Sequence, residues 1–383
     1  KKDFFYHQIM QVVAIAGRTG FIYNYPHPSD GRKKGILKMA QVKIGLVGAG
    51  NIGQRHIMAI DQLEAAELIA FADPSEAAQA KAASRAIPCY GDAAEMLEAC
   101  TPDAVIIATP TERHHRDAIT CIEGGCKNLL VEKPIAASDK EAEEIVRAGE
   151  KAGCNVMVAH QRRYYPCAAK AKELIDSGAI GTLIGVTGQW SLRKDEAYYA
   201  PQWRRKTKAG PILTNLIHEL DLLRFICGEI EAVSAYISHI DQQFEKEDAV
   251  AISLQFKNQA VGSFFLSDRT PSPWGWEFAL GENLALPKTG QNAIRFMGSK
   301  GALEFPNLVL WQHDSPDGHW QQPISGQPIE TDFIDAYIAQ AAHLCAVVQK
   351  KAEPFIPAQD ASLSLKATLA VTQAANTGRK ITL

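Results

Sequence analysis

Three groups of residues in this sequence have types and spacings suited to chemistry. The first is the loop Gly48-Ala49-Gly50-Asn51-Ile52-Gly53, which follows an apolar run from Val42 and opens a helical pattern through Met58 and Leu63. Gly48 permits a tight turn, Gly50 lets the backbone approach a pyrophosphate, and Gly53 lets the helix pack closely on the strand, with the helix N-terminus facing the phosphates. Twenty residues beyond Gly53, after the apolar run 68–72, stands Asp73. A carboxylate there can accept from both hydroxyls of an adenosine ribose and repels a 2′-phosphate, which favours NAD over NADP; the alternative is a turn residue before Pro74.

The second group is Glu132-Lys133-Pro134, directly after the apolar run 128–131. Proline has no N–H to donate and stops the ladder, so Lys133 is held where the strand ends. A desolvated ammonium in that place could donate to a substrate hydroxyl or to the developing carbonyl; otherwise the Glu132–Lys133 pair merely ends a strand. The third group lies in the oily stretch 210–225, where Thr214, His218 and Asp221 form a polar stripe at i, i+4 and i+7 beside a core face of Leu213, Leu216, Ile217, Leu220 and Leu223. A histidine in that position is either a satisfied core group or a base suited to neutral pH. Gly210 and Pro211 at the start and Gly228 at the end predict one helix over 211–227.

The elements that must position these groups alternate over the first part of the chain. Helical patterns over 75–86 and 114–123 lie between strand-like runs at 42–47, 68–72, 104–108 and 128–131. This order predicts an α/β class: an N-terminal Rossmann domain with a doubly wound parallel sheet, spanning 41–160. Ligands in such sheets lie beyond the carboxyl ends of the strands, which puts Thr109, Pro110, Glu132 and Lys133 at the cofactor edge, with His114 and His115 lining it or lying on a helix surface. A helix over 168–177 follows. Strand-like runs then succeed one another at 183–190, 233–240, 249–256, 260–266 and 293–297 without long helices apart from the one carrying His218. That predicts a C-terminal α+β domain over 161–383 with a mostly antiparallel open sheet.

Composition narrows the function classes. The 383 residues are 46% hydrophobic and 22% charged, enough for two cores. A formal charge of −3 gives no reason to expect nucleic acid, and no uncharged apolar run reaches membrane-spanning length. Residues 1–40 carry seven Lys/Arg against two Asp; with Met39 just before the first strand, they read as a leader or extension without a fold of its own. The eight cysteines contain no C-x-x-C pair, which argues against a zinc site or a disulfide framework and leads us to expect no metal and a reducing cytoplasm. Arg193, Lys194, Arg204 and Arg205 form either a solvated basic loop or a place for a substrate carboxylate.

The glycine loop, Asp73, the stretch Ala108-Thr109-Pro110, the run 124–134 ending in Glu132-Lys133-Pro134 and the later histidine helix together resemble the Gfo/Idh/MocA family over essentially all of 41–383. The resemblance implies an NAD(P)-dependent oxidoreductase acting on a small-molecule hydroxyl compound: a cyclic polyol, a sugar derivative or a cis-dihydrodiol. It implies that His218 meets Lys133 across the cleft, the imidazole as base and the ammonium as donor, so both are candidate catalytic residues. It makes Gly48, Gly50, Asn51, Ile52, Gly53, Asp73, Thr109, Pro110, His114, Glu132 and Lys133 candidates for holding cofactor. Arg163, Tyr164, Thr214, Asn215 and His218 become candidates for the substrate side, and a homo-oligomer is expected through the open sheet. Many relatives carry an aspartate where Thr214 stands, so Thr214 or Asn215 must replace it here. The alternative is a sensor that binds NAD and ligand on the same fold without turnover.

Overall fold

The computed structural model describes residues 41–240, 244–283 and 285–383; the expectation for the leader lies outside them. The described chain forms two compact units, one running through Tyr164 and including Ile334–Ser362, the other comprising Tyr165–Phe333 and Leu363–Leu383.

In the first unit, strands β1 (Val42–Val47), β2 (Ala66–Ala72), β3 (Cys89–Tyr90), β4 (Ala104–Ile107), β5 (Asn128–Glu132) and β6 (Asn155–Ala159) pair in parallel in the order β3-β2-β1-β4-β5-β6. β4 and β5 are buried at every position. Strands covered on both faces need continuous apolar runs, which Ala104–Ile107 and residues 129–131 supply. Between the strands run α1 (Asn51–Asp61), α2 (Glu76–Ser84), α3 (Ala93–Ala99), α4 (Thr111–Glu123) and α5 (Asp139–Ala152). The last is capped at one end by Ser138, whose hydroxyl accepts from Glu141 N, and closed at the other by Gly153 at φ 60°. The strand order reverses direction between β1 and β4, and Gly48 follows β1 at that switch point.

The second unit begins with α6 (Pro166–Asp176) and builds one nine-stranded sheet in the order β14-β13-β12-β11-β7-β10-β9-β8-β15. Its strands are β7 (Leu183–Ser191), β8 (Ile230–Ser238), β9 (Ala249–Phe256), β10 (Val261–Ser267), β11 (Ile294–Gly298), β12 (Ala302–Phe305), β13 (Val309–His313), β14 (Ile324–Pro328) and β15 (Ile381–Thr382). Every pairing is antiparallel except that of β10 with β7. In β9, Val250, Ile252, Leu254 and Phe256 turn inward while Ala251 and Ser253 face out, the alternation of a sheet covered on one side. The helix α7 (Ile217–Cys227) is buried along its whole length, and a short helix α8 (Trp276–Leu280) follows β10.

Two expectations need correction. The second unit does not hold all of 161–383, because Ile334–Ser362, with helix α9 (Ala336–Val348) and the start of α10 (Ala358–Thr377), belongs to the first. Ala341, Leu344 and Cys345 of α9 join Ile57 and Ile60 of α1 in the first core. A helix as apolar as α9 must be buried somewhere, but its sequence does not say in which core. The histidine helix is also not one α-helix over 211–227: Ile212–Leu216 form a π-helical turn before α7 begins. Thr214 donates its hydroxyl back to Gly210 O at 3.0 Å, and Ile212 N donates to Glu247 Oε1 at 2.7 Å. The first turn is thus shaped by partners off the helical ladder. Leu213 is only half-buried.

Candidate active site

The glycine loop is built as its spacing predicts. Gly48 has φ +90°, and a Cβ there would lie 2.8 Å from the backbone of Ala108 and Thr109. At Gly53 a Cβ would meet Gly48 O at 2.2 Å, so only glycine lets α1 start this close to β1. Around Gly50 a Cβ meets nothing within 4 Å: that side of the loop is open, as close approach by a pyrophosphate requires. Asn51 and Ile52 are exposed in the first turn of α1. Asp73 closes the other side; its Oδ2 accepts from Ala49 N at 2.8 Å and its Oδ1 from Ser75 N at 2.9 Å. Burial raises its pKa, but the hydrogen bonds from Ser75 and Ala49 outweigh that and hold it below the usual carboxylate range. It is an anion at neutral pH that stiffens the loop and repels a 2′-phosphate. These residues fit NAD.

At the neighbouring strand ends, Thr109, His114 and Glu132 are buried and tied into the fold. Thr109 is buried and donates its hydroxyl to Asp117 at 2.9 Å, while Pro110 is exposed and leads into α4. His114 is no surface histidine: it is 1% exposed, with Nε2 2.7 Å from Thr109 O and Nδ1 2.7 Å from Pro134 O. It therefore joins the loops after β4 and β5. His115, by contrast, is partly exposed and pairs with Glu144 at 2.8 Å. Glu132 is buried against His56 of α1, Nε2 to Oε1 2.8 Å, and its Oε2 accepts from Lys133 N at 3.1 Å. Burial raises the Glu132 pKa, but the hydrogen bond and charge of His56, with Lys133 and His114 beyond, bring the net value below the ordinary one. Lys133 thus follows a fixed backbone on the same sheet edge as the glycine loop, and its bond to Pro134 is cis.

Sequence reasoning missed His56. The signal available was a glutamate ending a run of buried positions, which demands a buried partner. Arg163 and Tyr164, expected on the substrate side, sit in a 3₁₀ turn (Gln161–Tyr164) and are buried. Arg163 pairs with Asp360 at 2.5 Å. Burial pushes the His343 pKa down to about 4, so the ring is neutral near pH 7. Its Nε2 donates to Glu353 O at 2.9 Å and its Nδ1 accepts from the Tyr164 hydroxyl at 2.8 Å. Phe355 packs edge-on against Tyr164 at 5.3 Å. With its hydroxyl spent inside the fold, Tyr164 is a packing residue.

In the second unit His218 is 8% exposed on the first turn of α7. Asp221 is buried and its Oδ1 accepts from Ser364 Oγ at 2.8 Å, while Ser364 Oγ itself accepts from Arg224 Nη1 at 2.6 Å. Thr214 and Asn215 are half-buried in the π-turn, with Thr214 Oγ1 3.0 Å from Asn215 Oδ1. Glu247, unremarked in the sequence, holds the start of that turn; a Cβ on Gly210 would fall 2.1 Å from its carboxylate, which explains the glycine. The basic loop is not freely solvated. Arg204 and Arg205 donate to the carbonyls of Tyr198 and Tyr199, and Lys194 donates to Asn215 Oδ1 at 3.2 Å. Among the described residues no cluster of three or more His, Cys, Asp or Glu is arranged to hold a metal ion. No described helix is long and apolar enough to cross a membrane.

Comparison with known proteins bears on the same two segments. A profile described as an oxidoreductase family with an NAD-binding Rossmann fold matches residues 42–160, and one described as the GFO/IDH/MocA C-terminal domain matches 168–304. The rhizopine catabolism protein MocA of Rhizobium meliloti is 32% identical over 192 residues, which is 50% of this chain and 59% of that protein's length. The scyllo-inositol 2-dehydrogenase (NAD(+)) of Bacillus subtilis is 27% identical over 352 residues, 90% of this chain and 96% of that one. Among solved structures, the WlbA dehydrogenase of Bordetella pertussis in complex with NADH and UDP-GlcNAcA aligns with a TM-score of 0.72 at 25% identity, covering 90% of this chain and 99% of that one.

Proposed function

Because the chain belongs to the Gfo/Idh/MocA family of NAD-binding oxidoreductases, we propose that it is an NAD-dependent dehydrogenase oxidising a secondary hydroxyl of a cyclic polyol, a sugar derivative or a cis-dihydrodiol. The observation that carries this reading is the placement of Lys133. It follows β5 on the edge where Gly48 and Asp73 end β1 and β2, on a backbone held by Glu132, His56 and His114. NAD supplies the acceptor for the hydride. The protein's part is to hold the hydroxyl and take its proton. Lys133 Nζ donates to the hydroxyl oxygen and stabilises the negative charge that grows there as the proton leaves. His218 accepts that proton on an imidazole nitrogen. Thr214 and Asn215 replace the carboxylate found in many relatives and orient the substrate by hydrogen bonds.

The test is purified protein with NAD and a panel of inositols, sugars and dihydrodiols, followed by the absorbance of the reduced nicotinamide. We expect turnover of at least one compound, and a loss of at least about 100-fold in kcat for His218→Ala with NAD affinity retained. NAD binding without any turnover would move the protein to the sensor reading, and full activity in His218→Ala would remove the base assignment. The proposal extends to a cytoplasmic homo-oligomer. Tyr236, Ala251 and Phe265 stand in register on the outward face of the open sheet, an exposed apolar row suited to a second copy.

A further inference from the structure

Asn215 is held in one orientation by a chain of charged groups. An amide can present either oxygen or nitrogen to a ligand, and coordinates alone rarely distinguish the two. Here a neighbour decides. Lys194 Nζ lies 3.2 Å from the amide, and an ammonium only donates, so the atom facing it must be Oδ1. Lys194 is itself fixed: its side chain is 12% exposed, 3.6 Å from Asp268 Oδ2 and 4.5 Å from the centre of the Tyr198 ring. The other Asp268 oxygen accepts from Lys246, a fully buried lysine, at 2.8 Å. Asp268 is thus shared between Lys246 and Lys194, and together with the Tyr198 ring it fixes where the Lys194 ammonium sits.

With Oδ1 committed, the face of Asn215 left for a ligand is its Nδ2, which has two N–H donors, no acceptor and no hydrogen-bond partner among the described residues. The single hydroxyl proton of Thr214 is shared between Gly210 O and Asn215 Oδ1, 3.0 Å from each, which engages Oδ1 a second time. An aspartate here would accept a hydrogen bond from a substrate hydroxyl, which Asn215 Nδ2 cannot do. A substrate hydroxyl meeting Nδ2 can accept, but its own proton finds no acceptor on Asn215, whereas a carboxylate or carbonyl oxygen needs only donors. We propose that Asn215 selects a substrate bearing a carboxylate or carbonyl oxygen near the reacting carbinol, and that Lys194 is the positioning residue that holds Asn215 in its donor orientation. The inference rests on the dehydrogenase reading for the location of the reacting carbon, one turn away beside His218.

The experiment compares glucuronate with glucose and galacturonate with galactose. Affinity is read from the shift in unfolding midpoint with NADH present, and KM and kcat from NAD reduction. The acid of each pair is expected to bind roughly tenfold more tightly, the scale of one hydrogen bond to a charged group. N215L should abolish that preference and N215D should reverse it. K194Q should raise KM for the acids while leaving kcat within about twofold, because a glutamine can face the amide with either end. NADH affinity serves as the folding control. Equal or tighter binding of the neutral sugars, no binding of either acid, or a preference that survives N215L each overturns the proposal. Acid-selective binding without NAD reduction supports it and removes the dehydrogenase reading instead.

Discussion

Substituting Gly50 by alanine separates the needs of the cofactor from the needs of the fold. Gly50 sits at φ −70° and ψ −159°, a conformation any residue adopts, and a Cβ there has no atom within 4 Å. The unliganded protein should therefore be unharmed, or stabilised by about 0.4–1 kcal/mol through the loss of freedom in the unfolded chain. NAD meets a methyl group where the pyrophosphate must approach the backbone. Losing one hydrogen bond to a charged group costs about 1.5–3 kcal/mol, or about ten- to a hundredfold in Kd. At an NAD concentration of about 100 times the parental Kd, ligand stabilisation of about 2.7 kcal/mol should fall to about 0.4–1.4 kcal/mol. Gly53→Ala makes the contrast, since its Cβ would stand 2.2 Å from Gly48 O and the clash should destabilise even the unliganded protein by about 1–3 kcal/mol. Thermal unfolding with and without NAD, together with titration calorimetry, measures both quantities. Gly50→Ala binding NAD within twofold of the parent would refute the placement of the pyrophosphate.

Three further outcomes follow from the same geometry. His56→Leu strands the buried Glu132 carboxylate and should cost on the order of 3 kcal/mol at pH 7. Because the pKa of Glu132 in the folded parent is depressed, its stabilisation is present above the unfolded carboxylate value and is lost as pH falls through the folded one. In the variant the buried acid is instead more stable when protonated, so the deficit should shrink between pH 7 and pH 4 in urea titrations; a deficit independent of pH would show that the pair is not electrostatic. Tyr164→Phe removes the hydroxyl that donates to His343 and should lower stability by about 1–2 kcal/mol, whereas a rise in KM beyond twofold would restore Tyr164 to the substrate side. Size-exclusion chromatography with light scattering should report a multiple of the 41.8 kDa chain and a monomer for the double variant Tyr236→Asp, Phe265→Asp; an unaltered mass in that variant would exclude the outward sheet face as the interface.

What the sequence by itself determined is what depends on near neighbours. Strand–glycine–helix order places Gly48, Gly50 and Gly53, and the strand ends place Asp73 and Lys133, because backbone preference and burial period act over a few residues. The five expected strands of the second unit appear at nearly their expected places for the same reason. Tertiary structure decided the partnerships. His56 meets Glu132 across 76 residues, Tyr164 meets His343 across 179, and Ile212 N meets Glu247 across 35. The last of these, with the back-bonding of Thr214, makes a π-turn of a stretch whose pattern reads as plain helix. Which core receives α9, and which end of the Asn215 amide faces outward, were likewise settled only by folding: burial and hydrogen-bond satisfaction are properties of groups brought together from distant parts of the chain, and local sequence holds no record of which ones they are.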